Sequence, residues 1–116
     1  MTKRIAIDYI ADICDALRKC IQFTEGMEYD QFIRDDKTLF AVIRALEVVG
    51  EAAKRVPEEW RADYHHIPWK EMAGMRDVLI HQYFGIDYSV LWKTIHKDVK
   101  RLLPLFEEML QAAKDT

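Results

Sequence analysis

Arg76, Asp77, His81 and Tyr83 place a cation, a carboxylate, an imidazole and a phenol within eight residues. A histidine takes and gives protons near neutral pH, so His81 is a candidate general base or acid. Asp77 can orient that imidazole and favour its charged form. Arg76 cannot act as a base, but its planar fork suits a phosphate. On one helix, Asp77 and His81 stand about 40° apart and can touch. Arg76 and Tyr83 are two turns apart and nearly eclipsed. Arg76 and His81 are about 140° apart and ~7.5 Å distant along the axis. One helix therefore does not bring arginine and histidine onto one small group, whereas two copies related by a two-fold axis can. The competing interpretation is a surface ion pair or helix cap with no chemistry.

The remaining reactive side chains form no second set. His65, His66 and His96 are expected to face solvent, and their spacing supplies no metal site. Cys14 and Cys20, separated by five residues in a helical stretch, read as free buried thiols. Trp69 and Trp92 are expected in the core or an interface. No cofactor motif is present.

Helices must position the Arg76 segment. Ile10, Ile13/Cys14, Leu17 and Cys20/Ile21 recur at helical spacing, and Gly26 stops that helix. Residues 27–36 read as a loop or single turn held down by Tyr29 and Phe32. Asp35 or Asp36 caps a second helix with Leu39, Val42/Ile43, Leu46, Val49 and Ala53 on its apolar face. Gly50 within it costs about 1 kcal/mol relative to alanine, usually compensated by a close neighbouring helix. Pro57 ends this helix, and residues 57–64 allow one short helical turn. Pro68 is placed at the first position of a helix over about 69–84 that stops at Gly85 and puts His81 in its last turn, where the helix dipole favours a cation. Asp87 caps the last long helix. There Pro104 should introduce a kink or start a new helix. The expected architecture is all-α, an antiparallel bundle of four to five helices in one domain over residues 1–116.

The chain has 116 residues, 50% of them hydrophobic and 32% charged, a normal balance for one folded domain. Its formal charge of −3 argues against a protein that coats nucleic acid with a basic surface, and leaves room for a local phosphate site. No apolar run approaches the ~20 residues of a membrane span. Residues 1–10 contain Lys3, Arg4 and Asp8 and no apolar signal core. A cytoplasmic location is expected.

Arg76, His81 and Tyr83 fit the pattern R-x4-H-x-Y, and the chain here resembles the HepT-like family of the HEPN superfamily. Residues 41–54 (AVIRALEVVGEAAK) resemble that family's second-helix signature. Residues 67–69 (IPW), 73–76 (AGMR) and 81–87 (HQYFGID) follow it as well. The likeness spans about residues 8–110. The residue after the arginine is often asparagine in the family and is Asp77 here. The resemblance implies a homodimeric, metal-independent ribonuclease that cleaves RNA at a composite interface site, with Arg76, Asp77 and His81 as its catalytic residues. It further implies the toxin of a toxin–antitoxin pair, silenced when an MNT-type nucleotidyltransferase antitoxin attaches AMP to Tyr83. The alternative is a non-catalytic helical partner of a nucleotidyltransferase or nucleotide.

Overall fold

A capping carboxylate or a helix-stopping glycine sets several element boundaries. The structure, a computed structural model, describes residues 3–81 and 87–115, with the backbone alone described over 76–81. Helix α1 (Lys3–Thr24) turns Ala6, Ile10, Ile13, Cys14, Leu17 and Cys20 inward at steps of three and four. It ends before Gly26, whose φ of +76° is accessible to glycine at little cost. The short α2 (Tyr29–Arg34) follows, where the Gln31 side chain accepts from the Glu28 amide at 2.9 Å. Phe32 is fully buried there and packs on Trp92 at 5.0 Å, while Tyr29 meets the same indole edge-on at 5.9 Å. The two rings expected to hold this segment down do so, and the turn is a six-residue helix.

Asp35 caps α3 (Asp36–Arg55), its carboxylate accepting from the Thr38 amide at 3.1 Å. Leu39, Val42, Leu46, Val49 and Ala53 are buried along one stripe, with Gly50 beside it. Helix α4 (Glu58–Asp63) is the short turn expected after Pro57. Helix α5 (Trp69–His81) begins at the residue where the sequence placed its start, and the expected stop at Gly85 lies outside the described residues. Its first α-helical bond runs from the Met72 amide to the Pro68 carbonyl, so Pro68 is the cap rather than the first helical residue. The Trp69 amide turns back to the Ile67 carbonyl at 2.8 Å, which sets this entry.

Asp87 caps α6 (Tyr88–Lys93), accepting from the amides of Ser89 and Val90. A π-helical segment (Thr94–Val99) leads into α7 (Lys100–Lys114). Pro104 lies inside α7, and no new helix starts at it. Pro104 and Lys100, whose carbonyl it cannot serve, are both exposed, so water can take the missing partner's place. The irregularity expected near the proline falls upstream, in the π-helical segment.

Helix α1 packs against α3 and α7, and α3 also packs against α5. Arg18 reaches Glu107, while Phe32, beyond the end of α1, meets Trp92, so α1 and the α6–α7 unit run antiparallel. The edge of Trp69 against Phe106, at 5.5 Å and 89°, joins α5 to α7. The described residues thus form an all-α antiparallel arrangement of four long helical units and two short helices, without strands. Among the described residues no helix is long and apolar enough to cross a membrane.

Candidate functional site

Helix α5 carries positions 76, 77 and 81 on one continuous helical backbone. Its first turns are held firmly. Trp69 and Met72 are buried, and the Trp69 indole Nε1–H donates to the Tyr64 carbonyl at 3.0 Å. Ile67, also buried, donates its amide to that same carbonyl at 3.1 Å. The corner between α4 and α5 is therefore locked by two hydrogen bonds to one acceptor, and it fixes where α5 points.

The helical backbone keeps Asp77 and His81 one turn apart and Arg76 on a different face from His81, as the spacing required. The side chains of Arg76, Asp77 and His81 lie outside the described residues, and so does the whole of Tyr83. Beyond that segment, the Asp87 carboxylate accepts from the Ser89 hydroxyl at 2.6 Å and from the amides of Ser89 and Val90. The Ser89 hydroxyl, followed by the Val90 amide, holds this carboxyl below its ordinary range.

The other reactive groups divide as follows. His65 and His66 are exposed as expected. His96 is not: it is half-buried, stacks on Trp92 at 3.8 Å, and its Nδ1 lies 2.9 Å from the Trp92 carbonyl. The i,i+4 spacing within a packed helical segment brings it down onto the indole. Cys14 and Cys20 are free and buried, and desolvation pushes their thiols up to about 11 and about 12. They are poor nucleophiles at neutral pH. Among the described residues no three His, Cys, Asp or Glu side chains cluster as a metal site requires.

Sequence reasoning missed Arg61. Its Nε is buried without a hydrogen-bond partner among the described residues, at a groove between α4 and the start of α5. No local motif marks it, because only the α4–α5 turn brings it to the same groove as Trp69 and Lys70.

An antiparallel all-α bundle whose third long helix carries Arg76, Asp77 and His81, with Tyr83 two residues on in the sequence, defines the class. A family model described as ribonuclease HepT-like matches residues 13–109, and the chain belongs to that family. It is 48% identical over 107 residues to the "Probable ribonuclease HepT" of Thermococcus cleftensis, covering 92% of this chain and 97% of that one. A Methanocaldococcus jannaschii protein, provisionally named an RNase, is 44% identical over 111 residues, covering 96% and 92% of the two chains. One from Caldanaerobacter subterraneus subsp. tengcongensis, named likewise, is 40% identical over 113 residues, covering 97% and 98%. No solved structure matches the chain.

Proposed function

We propose that the protein is a metal-independent endoribonuclease toxin that works as a homodimer. The observation that carries this reading is the family match over residues 13–109, which includes Arg76, His81 and Tyr83 in their motif order. Two α5 helices meeting across a two-fold axis supply what one cannot, an arginine and a histidine on each side of a shared phosphate. One His81 takes the proton of a ribose 2′-hydroxyl, whose oxygen attacks the phosphorus. The second His81 gives a proton to the 5′-oxygen as the P–O5′ bond breaks, leaving a 2′,3′-cyclic phosphate and a free 5′-hydroxyl. The Arg76 pair holds the phosphate and stabilises its developing charge. Asp77 orients His81.

Gly74 supports the two-fold arrangement. No described atom outside its own helix and chain neighbours lies within 4 Å of where a side chain would start. Glycine there costs about 1 kcal/mol relative to alanine, and a second α5 approaching closely gives a reason for it. Tyr83 is the acceptor for regulation: its oxygen attacks the α-phosphorus of ATP on an MNT-type nucleotidyltransferase and pyrophosphate leaves. The attached AMP places an anion beside Arg76 and competes with RNA.

The purified protein should cleave RNA in EDTA, and His81→Ala should abolish cleavage while leaving the dimer intact by light scattering. Wild type and His81→Ala equally inert on tRNA and mRNA would leave the non-catalytic helical partner as the better account. Co-expression with a cognate nucleotidyltransferase should add AMP to the intact mass, and Tyr83→Phe should remove that addition.

A further inference from the structure

Across α6, the π-helical segment and the start of α7, four cations (Lys93, Lys97, Lys100 and Arg101) accompany one carboxylate, Asp98, in a chain whose formal charge is −3. All four cations are exposed, and Asp98 is half-buried. Among the described residues Lys97, Lys100 and Arg101 take part in no ion pair. The Asp87 carboxylate, which Lys93 favours from a distance, is already engaged with Ser89 and Val90. We propose that this stripe binds single-stranded RNA, with the cations holding phosphates and the neighbouring rings of His96 and Trp92 stacking a base; this rests on the ribonuclease reading above.

The π-helical segment lines these groups up. A π turn closes on i→i+5 bonds and is wider than an α turn, so positions four apart stand more nearly in line. Trp92 and His96 form one row, their ring centroids 3.8 Å apart. Lys93, Lys97 and Arg101, again at steps of four, form the row beside it. Both rings of the first row are half-buried, so each keeps some open surface. Phe32 and Tyr29 of α2 hold the indole at 5.0 and 5.9 Å, which fixes the platform before any ligand arrives. Cations that track a backbone beside rings that stack bases are what single-stranded binding uses, and every base offers a π face. An acidic protein surface would use the cations but not the rings.

Helix geometry links the stripe to the proposed cleavage site. Trp69 packs on Phe106, and His81 lies twelve residues, about 18 Å, along α5 from that contact. Twelve residues back from Phe106 is Thr94, inside the stripe. In an antiparallel bundle these equal runs bring His81 level with it. No residue of the stripe lies on α5, so the strand leaves the Gly74 face to a second copy.

The test uses a dodecamer of 2′-O-methyl RNA, which lacks the attacking hydroxyl, and an abasic strand of the same length, with affinity read by fluorescence anisotropy across salt. Lys97→Gln and Arg101→Gln should each weaken the dodecamer several-fold and reduce the slope of log affinity against log salt by about 0.7. Lys114→Gln, the same charge change at the far end of α7, should alter neither. His96→Ala should weaken the dodecamer several-fold and leave the abasic strand unaffected, which a merely structural role does not predict. On cleavable RNA, Lys97→Gln should raise KM rather than lower kcat. Lys97 and Arg101 are exposed, so their variants decide the matter even if His96→Ala folds poorly. A wild type that binds no dodecamer overturns the proposal, as does Lys114→Gln lowering affinity and slope as much as Lys97→Gln. If the glutamine variants change only the size of the protein's own assembly, an acidic protein surface is the occupant and the proposal fails. If the wild type shows the expected binding pattern but cleaves no RNA, the stripe stands and the ribonuclease reading fails. If it cleaves and the variants bind normally, the reverse holds.

Discussion

Trp69 holds the N-terminal end of the helix that carries the motif, and two substitutions separate its contributions. Trp69→Phe keeps an aromatic ring facing Phe106 but removes the Nε1–H bond to Tyr64. The Tyr64 carbonyl still accepts from the Ile67 amide, so it is not orphaned. The loss is the net value of one hydrogen bond, about 1 kcal/mol. The smaller ring buries roughly 40 Å² less apolar surface, a further ~1 kcal/mol at ~25 cal/mol per Å². Trp69→Phe should therefore cost about 2 kcal/mol, or roughly 8 °C in Tm for a chain of this size. Trp69→Leu also removes the edge-to-face pair and should cost about 1 kcal/mol more. Thermal unfolding followed by circular dichroism at 222 nm, with urea midpoints as a check, measures both. If Trp69→Phe lies within about 0.5 kcal/mol of wild type, or Trp69→Leu is no worse than Trp69→Phe, the corner is not locked as described.

Further consequences concern a cap, the thiols and the surface. Asp35→Ala should cost about 1 kcal/mol in urea unfolding, because the Thr38 amide loses its acceptor at the start of α3. The Cys14 and Cys20 thiols ionise at about 11 and about 12 in the fold and near 9.0 when unfolded, so the folded state retains these protons longer. Their contribution is intact below about pH 9 and is lost as pH rises through 11 to 12, by about 1.4 kcal/mol per thiol per pH unit within each window. Cys20→Ala should flatten that alkaline loss in stability measured from pH 8 to 12. At neutral pH both thiols should resist iodoacetamide until the protein unfolds, as mass spectrometry can show. Arg18→Ala and Glu107→Ala should each change stability by less than about 0.5 kcal/mol, since the 3.4 Å pair is exposed on both sides.

The helices were largely legible in the sequence because their signals are local. Apolar positions at steps of three and four marked the buried stripes of α1 and α3. Gly26, Asp35, Pro57 and Asp87 marked ends through backbone conformation or a capping carboxylate, and each acts where its type suggested. The motif's order and its one-helix geometry were also legible, since spacing alone fixes the angle between positions 76, 77 and 81. Tertiary packing decided the rest. Pro104 is a local breaker, yet the chain stays helical through it because buried Leu102 and Phe106 hold that helix to the core while the proline faces water. His96 is polar and reads as exposed, yet it lies on Trp92 because both belong to a segment packed over α2. Arg61 carries no pattern of its own. Its Nε, buried without a partner among the described residues, and the groove beside it depend on the α4–α5 corner folding back through Tyr64, Ile67 and Trp69. Periodicity reports which face a residue occupies; which residues from different helices meet depends on how those faces pack.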